Sequence, residues 1–361
     1  MHDVLLYALP VFGLGLLAEW AWGWWRRRQT YALADTVSSL SQGLMSQAVA
    51  AITPLFQTGL YASVHGRLAM LPGTLWHGAA GLLACVVMYD FCDYWLHRAS
   101  HECAFFWAAH AVHHQSEHFN LSTALRQESL YTVVGAPFFL PMALLGVPTE
   151  QYALAGIVVL FYQYWIHTEH IGRLGWLDRV FSTPSNHRVH HAVNPPYLDR
   201  NYGAILVLWD RLFGSFAEER EPCVYGTVKP LHSWNPLTAV GQVYAELWTR
   251  MRATPRLADK LRVLWKSPGW VPPGADFQAL PSAERLGQRR FDPPAPRWAR
   301  AAAVTLLALT GAAGGLWLSA ADDAGLLANL GAATALSSAL WAIGWLLSRR
   351  GPAQAVDRAP G

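Results

Sequence analysis

The sequence predicts an all-α membrane protein that crosses the bilayer several times. Hydrophobic residues make up 53% of the chain and charged residues only 14%, and the apolar residues form long runs, as in polytopic membrane proteins. The chain also contains 18 Trp and 13 Tyr, amphipathic aromatics that concentrate where a bilayer meets water. This composition does not indicate a soluble enzyme or a protein that binds nucleic acid.

Seven apolar segments come close to the ~20 residues that a helix needs to cross the hydrocarbon core. The fourth and fifth are short and joined only by Gly146–Thr149, which favours a hairpin that does not fully cross. The seven segments are Val4–Trp25, Thr36–Ala62, Thr74–Leu96, Glu128–Leu145, Glu150–Ile166, Trp298–Ala320 and Ala324–Leu347.

Basic residues at the ends of these segments predict the orientation of the chain. If Arg26–Arg28 lie in the cytoplasm and the segments alternate, Arg98, Arg300 and Arg349–Arg350 fall on the same side, as the positive-inside rule requires. We therefore expect the N-terminus outside and the C-terminus in the cytoplasm, in the inner membrane if the chain is bacterial. The N-terminus lacks the positive region of a cleavable signal peptide.

Histidines are concentrated in one part of the chain. Eleven of the fifteen lie between positions 97 and 191. Nine of these fall in four short clusters, the third of which ends the fifth apolar segment and contributes only His167. This orientation places all four clusters at the cytoplasmic surface. Two clusters read HxxHH and one reads HxxxH, so each is expected to present its imidazoles on one helix face as a single group. The nine are His97, His101, His110, His113, His114, His167, His187, His190 and His191.

The clusters favour metal binding. Nine neighbouring imidazoles would repel one another if protonated, and would be costly unpaired polar groups near hydrocarbon if neutral. Nine nitrogens exceed the four ligands of a tetrahedral zinc site, and suit two metals with four or five ligands each and an open position. Imidazole binds zinc, copper, iron and nickel alike, but the H-E-x-x-H zinc signature is absent, so iron for oxygen chemistry is the favoured interpretation.

Carboxylates beside the clusters are candidates for orienting the ligating imidazoles. Asp93 lies one helical turn before the first cluster, and a helix-packing hydrogen bond is the alternative role for it. Glu102 and Glu169 each adjoin a clustered histidine. His118 and His170 are near in sequence but are not included in the predicted ligand set, and the sequence leaves open whether His170, three residues after His167, also binds metal.

The sequence contains no recognisable electron source. No G-x-G-x-x-G follows a strand, and Gly13–Gly15 lies in an apolar helix, where it serves packing. The four cysteines include no C-x-x-C pair, which excludes the usual iron–sulfur motifs. An oxygen-activating metal enzyme of this kind needs a separate electron donor, expected at the cytoplasmic face.

Longer motifs around the histidines resemble the fatty acid hydroxylase/sterol desaturase superfamily of membrane di-iron oxygenases, and within it the alkylglycerol monooxygenases. Asn186 departs from the pattern, which has another histidine there, and this leaves substrate and reductant open. The resemblance runs from about Tyr89 to Gly226 and rests on His97–Glu102, His110–Glu117, Asn120–Gln127, Trp165–Glu169, Thr183–His191, Asn201–Gly203, Trp209–Gly214 and Val224–Gly226.

This resemblance implies a fold, a ligand set and a reaction. The implied fold is a four-helix histidine-box core with a cytoplasmic metal-binding cap and extra flanking transmembrane helices. The implied ligands of two iron ions are the nine clustered histidines. The implied reaction is O₂-dependent hydroxylation of a lipid C–H bond in the bilayer, with cleavage of an alkylglycerol ether in the closest subgroup, and the reductant is tetrahydrobiopterin or an electron-transfer protein.

The same motifs suggest a domain organisation and a substrate approach. Asn120, Arg126, Gln127 and Asn201 are candidates to line the approach, with a structural role in the cytoplasmic cap as an equal alternative. An ion pair within Trp209–Arg211 is expected to stabilise the packing of the cap. The predicted regions are N-terminal transmembrane helices (1–66), the catalytic domain (67–216), a cytoplasmic amphipathic linker (217–297), a transmembrane hairpin (298–348) and a cytoplasmic tail (349–361).

Alternatives of other kinds stay open. Within the superfamily, the alternative reactions are hydroxylation of an ornithine lipid, a sterol or a carotenoid, and desaturation. A non-enzymatic metal-binding protein or transporter is a further alternative, although a transporter places its ligands near mid-membrane on several spans, whereas these lie at helix ends on one side. A bis-histidine haem protein needs pairs of histidines, not triplets.

Overall fold

The computed structural model describes residues 2–274 and 290–349, and it confirms the predicted all-α class. Within these residues no β-strand forms, and two isolated bridges, Phe181–Leu206 and Ala192–Tyr225, connect loops. The helices are α1 (His2–Trp25), α2 (Leu33–Ile52), α3 (Leu60–Leu68), α4 (Gly78–Glu102), α5 (Ala104–His114), α6 (Leu121–Ala124), α7 (Tyr131–Leu144), α8 (Thr149–Trp165), α9 (Pro184–His190), α10 (Leu208–Leu212), α11 (Pro236–Ala253), α12 (Leu257–Trp265), α13 (Arg297–Leu318) and α14 (Leu326–Leu347).

The seven predicted membrane segments are helical, but they are not seven equivalent spans. Among the described residues, α4, α13 and α14 are both long and apolar enough to cross a bilayer. The second predicted segment breaks after Ile52, where Pro54 precedes a π-helical turn over Leu55–Gly59. Helices α7 and α8 have 14 and 17 residues, fewer than the ~20 of a full span, as the hairpin interpretation expects.

Helix α4 is the central element that carries the first histidines. It packs against α5, α7 and α8, and close approach to α7 requires Gly135, since a Cβ there would lie 2.5 Å from Leu96 Cδ2. The α7–α8 turn uses Gly146 at φ 82°, a left-handed conformation that glycine adopts without strain. The C-terminal hairpin of α13 and α14 packs separately on α2.

A buried carboxylate joins α4 to the loop that precedes α10. Asp90 is fully buried and accepts hydrogen bonds from the backbone N–H of Ile205 (2.6 Å) and Leu206 (3.1 Å) and from Trp209 Nε1 (2.8 Å). These bonds pair three donors of partly buried residues with one fully buried carboxylate. Asp90 therefore has the structural role of holding this loop against the membrane helix.

The ion pair expected within Trp209–Arg211 is not formed, because both charged side chains bond to backbone groups. Asp210 accepts hydrogen bonds from the backbone N–H of Tyr202 (2.7 Å) and Gly203 (2.8 Å). Arg211 donates from Nε to the carbonyl of Arg179 (2.9 Å). The motif is structural, as expected, but it acts through backbone hydrogen bonds.

Replacing Asp90 tests its anchoring role. Asp90→Ala removes the buried acceptor of three hydrogen bonds, so the free energy of unfolding should fall by about 3 kcal/mol, and Asp90→Asn, which keeps one acceptor oxygen, should lose less. Thermal unfolding of the detergent-solubilised protein measures both. The control is Glu102→Gln at the end of the same helix, where the half-exposed pair with Arg98 contributes at most about 1 kcal/mol. Equal melting of Asp90→Ala and the control would contradict the anchor.

Candidate metal centre

The nine clustered histidines come from the ends of four helices. Helix α4 contributes His97 and His101 from its last turns, and the extended backbone of Cys103 (φ −127°, ψ 122°) then reverses the chain, so that α5 packs its histidines against α4. His167 follows the C-cap of α8. Helix α9 carries the last cluster, and Pro184 stands in its first turn, a position that suits proline.

These nine imidazoles converge into two groups. In each group the candidate ligand nitrogens all lie within 4.8 Å of one another. The groups adjoin, because the ring centroids of His114 and His191 are 4.4 Å apart. Group one is His97, His101, His110, His114 and His190, and group two is His113, His167, His187 and His191.

The expectation that each cluster acts as a single group is wrong for both HxxHH clusters. In each, the i and i+4 histidines enter one group and the i+3 histidine enters the other. The reason is helical geometry: at about 100° per residue, i+4 lies about 40° from i, whereas i+3 lies about 60° away on the opposite side. Each HxxHH cluster therefore bridges the two groups.

Six of the nine rings direct Nδ1 at an oxygen atom. A backbone carbonyl can only accept, so an Nδ1 that faces one carries the proton, and Nε2 keeps its lone pair. The carbonyl contacts are His97 to Tyr202 (2.8 Å), His113 to Arg126 (3.1 Å), His167 to Gln163 (2.7 Å) and His190 to Arg200 (3.0 Å).

A short turn in the loop before α10 supplies two of these carbonyls. Asp199 and Asn201 both have φ of 56°, a left-handed conformation that Asp and Asn tolerate better than most residues. Because these two left-handed residues flank Arg200, the carbonyls of Arg200 and Tyr202 both point at group one. Asn201 also donates to the carbonyls of Asn186 (3.0 Å) and Ala217 (2.8 Å), which holds the turn in place.

The Nε2 atoms face one another inside each group. In group one, His110 Nε2 lies 3.1 Å from that of His97 and 3.0 Å from that of His114. In group two, successive pairs of His113, His167, His187 and His191 are 3.2, 3.0 and 3.2 Å apart. Two nitrogens bound at right angles to one metal ion, each at about 2.1 Å, would lie about 3.0 Å apart.

These facing nitrogens fit a metal ion, and one pair of them cannot form a hydrogen bond. His113 and His167 both donate from Nδ1 to carbonyls, so their Nε2 atoms meet as two lone pairs with no proton between them. The Nε2 atoms of His101 and His190 are buried without a hydrogen-bond partner. Buried acceptors of this kind are costly unless a donor or cation satisfies them.

Burial also keeps the rings neutral, as metal ligation requires. Every one of the nine is only 3–8% exposed. Desolvation lowers the pKa of His113 to about 4 and lowers the pKa of the other clustered histidines outside the membrane helices, namely His110, His114, His167, His187, His190 and His191.

Two carboxylates that the sequence interpretation missed contact the rings. Glu128 Oε1 lies 2.6 Å from His110 Nδ1, and Asp199 Oδ1 lies 3.3 Å from His101 Nδ1. Glu128 is nearly buried. Glu128 directly follows Arg126 and Gln127, which the sequence analysis had already noted, and this adjacency could have identified it.

The three carboxylates expected to orient histidines have other partners. Asp93 accepts a hydrogen bond from Gln163 Nε2 (3.2 Å), and the backbone carbonyl of Gln163 accepts one from His167. Gln163 therefore lies between Asp93 and the ring of His167. Glu102 pairs with Arg98 (3.0 Å) and Glu169 with Arg28 (3.4 Å).

His118 and His170 lie outside both groups, in agreement with their exclusion from the predicted ligand set. His118 Nδ1 lies 3.2 Å from a guanidinium nitrogen of Arg290. The ring of His170 packs near Gly23 of α1, where a Cβ would lie 3.3 Å from its Nε2.

Three of the four residues proposed for the substrate approach have structural contacts. Asn120 caps α6 and donates to the Thr30 carbonyl (2.8 Å). The fully buried Arg126 donates from Nε to the carbonyl of Val112 (2.7 Å), and Asn201 holds the turn described above. These contacts agree with the structural alternative. Gln127 is half-buried and donates to the neighbouring Ala124 carbonyl.

Comparison with known proteins places these residues in a family. Residues 82–215, which include all nine histidines, match the sequence profile of the fatty acid hydroxylases. The chain is 37% identical over 266 residues to alkylglycerol monooxygenase of Danio rerio and 36% identical over 273 residues to that of Homo sapiens. An ornithine lipid hydroxylase of Rhizobium tropici is 32% identical over 148 residues.

The extent of these matches differs between the chain and its relatives. The two alkylglycerol monooxygenase alignments cover 73% and 75% of this chain, but only 59% and 60% of those proteins. The ornithine lipid hydroxylase alignment covers 41% of this chain and 45% of that protein. Among solved structures, none matches the chain. Through residues 82–215 and their histidine clusters, the chain belongs to the fatty acid hydroxylase family.

Proposed function

We propose that the chain is a membrane di-iron monooxygenase that hydroxylates a C–H bond of a lipid, using O₂ and an external reductant. The observation that carries the proposal is the pair of adjoining, buried histidine groups with facing Nε2 atoms. Five nitrogens in group one and four in group two suit one metal ion each. Family membership favours iron among the metals that imidazole binds.

The chain's own residues would hold the metals and protect the site. Carbonyls and carboxylates behind Nδ1 orient the rings, and such partners raise ligand basicity. Phe119 is buried against the rings of His167 (5.5 Å between centroids) and His191 (5.1 Å), and this apolar cover excludes water. Two bound irons would supply activation of O₂ for insertion into an unactivated C–H bond.

The histidines lie where a bilayer lipid can reach them. Group one begins in the last turns of α4, a membrane-crossing helix, and the short apolar helix α7 starts at Tyr131, whose ring is 5.2 Å from that of His110. We propose a catalytic domain over residues 67–216, with helices α4, α7 and α8 delivering the substrate to a cap formed by α5, α9 and their loops. The orientation is that of the positive-inside analysis, with the cap and the electron donor in the cytoplasm.

The substrate class follows from the relatives. Similarity to alkylglycerol monooxygenases favours a glycerol ether lipid, with hydroxylation beside the ether oxygen and tetrahydrobiopterin as reductant. Similarity to an ornithine lipid hydroxylase makes a bacterial aminolipid the second candidate, with an electron-transfer protein as donor. A sterol desaturase is also among the relatives, 29% identical over 133 residues.

Metal analysis tests the two groups. The purified protein should contain about two iron ions per chain, because the groups hold five and four ligands. His190→Asn and His191→Asn, which each remove one ligand from a different group, should lower iron content and abolish hydroxylation, whereas His170→Asn should retain two irons. A single metal per chain, or haem, would overturn the di-iron proposal.

Replacing Glu128 tests the partner of His110. Glu128→Ala should weaken iron binding in group one by about 10–100-fold, and Glu128→Gln, whose amide oxygen still accepts from Nδ1, should lose less. Chelator titration followed by iron analysis should show one iron of Glu128→Ala released early and the other released as in the parent protein. Glu102→Ala and Glu169→Ala serve as comparisons because their partners are arginines; loss of iron from them equal to that from Glu128→Ala would contradict the assignment.

Lipid mass spectrometry tests the reaction. Cells with the gene should contain a lipid that is one oxygen heavier than in cells without it, or should lose alkylglycerol ethers to cleavage. Loss of two hydrogens from a lipid would identify a desaturase. No change in any lipid, with both irons present, would favour a non-enzymatic metal-binding protein.

A further inference from the structure

Helix α12 has an apolar face that none of the residues described by the structure (2–274 and 290–349) covers. Its inner face packs Val263 against Ala104 and Ala108 of α5 and Leu247 of α11. Its outer face carries three large apolar residues at spacings of four, so that they form one ridge. These are Leu257, Leu261 and Trp265, with 73%, 52% and 61% of their surface exposed.

This ridge continues towards the membrane-embedded part of the fold. The ring of Trp265 lies 5.7 Å from that of Phe105 and 6.3 Å from that of Phe106. Phe106 in turn makes an edge contact at 5.5 Å with Phe138 of the apolar helix α7. The ridge is therefore one end of an aromatic path that reaches a helix of the hydrophobic hairpin.

The C-terminal end of α12 is fixed beside the C-terminal end of α4. The backbone N–H of Ala104, two residues beyond the end of α4, donates to the carbonyl of Lys266 (2.9 Å). Cys103 Sγ lies 3.4 Å from the carbonyl of Leu264. The end of α12 therefore lies beside the end of a helix that is long and apolar enough to cross a membrane.

Charges around the ridge match an anionic surface. Residues 256–266 contain four basic side chains and one acid, so their net charge is 4 − 1 = +3. The acid, Asp259, is buried and pairs with Arg262 (2.8 Å). An exposed apolar stripe beside basic residues is the pattern of helices that lie in the membrane interface, where each basic residue near an anionic surface contributes about 1 kcal/mol.

We propose that α12 is an interfacial helix, with Leu257, Leu261 and Trp265 inserted among the lipid chains and the basic residues at anionic headgroups. This docking fixes α5, which packs on α12 and carries three of the clustered histidines, at a defined depth relative to the bilayer. The proposal does not depend on which metal the histidines bind or on the reaction.

Spin-label depth measurements on the full chain in lipid nanodiscs test the proposal. Cys103 and Cys223, which are partly exposed, are replaced by Ser, and a nitroxide is attached at Leu261→Cys. Power saturation then compares collisions with O₂, which concentrates in lipid, and with a water-soluble nickel chelate. The matched controls are Leu316→Cys on the membrane-crossing helix α13 (76% exposed) and Arg220→Cys in a loop (80% side-chain exposure).

The label at position 261 should be more accessible to O₂ than to the nickel chelate, as at position 316. Accessibility like that at position 220 would overturn the proposal. Low accessibility to both reagents would also overturn it, because a second copy or another protein would then cover the ridge.

Discs of phosphatidylcholine with phosphatidylglycerol should give deeper insertion than phosphatidylcholine alone, and added salt should reduce the difference. Equal depth in both kinds of disc would contradict the role of anionic headgroups.

Discussion

The fold depends on one constraint: nine imidazoles are buried together, and Nε2 atoms of neighbouring rings face one another at 3.0–3.2 Å. The Nε2 atoms of His113 and His167 cannot satisfy one another, because the Nδ1 protons of both rings are committed to carbonyls on the far side. A cation between them would convert this arrangement from costly to stable. In the proposed function, metal binding and formation of the cap would therefore be coupled, as in other proteins whose ligands converge only in the folded state.

The loop over residues 199–210 links this centre to the membrane. One end supplies acceptors to His97 and His101, and the other is held by Asp90, seven residues before His97 on α4. On the opposite side, Arg188 lies between the histidines of α9 and makes a bidentate pair with Glu219 (2.8 and 2.7 Å). The ligands are held by a rigid frame of buried polar contacts, so their geometry does not rely on helix ends that fray.

The spacing of the histidines and the lengths of the apolar segments were enough to identify the nine histidines that converge, the helical class and the short α7–α8 hairpin. It could not divide the ligands between the groups. That division follows from the angle between i+3 and i+4 on a helix and from the way α5 and α9 face each other, so it needs the tertiary structure. Hydrophobicity alone also could not register the break at Pro54 or the polar face of α2 within the second predicted segment.

The carboxylates show why adjacency in sequence misleads. Glu102 follows His101 on a helix, and consecutive side chains point about 100° apart, so a neighbour at i+1 cannot support the ring it follows. The Nδ1 atoms of His101 and His110 point away from the centre of their group, and their carboxylate partners come from other segments of the chain. Glu128 is 18 residues from the histidine it contacts and Asp199 is 98 residues away. Partners of this kind arise from the packing of loops on helices, which local sequence patterns do not encode.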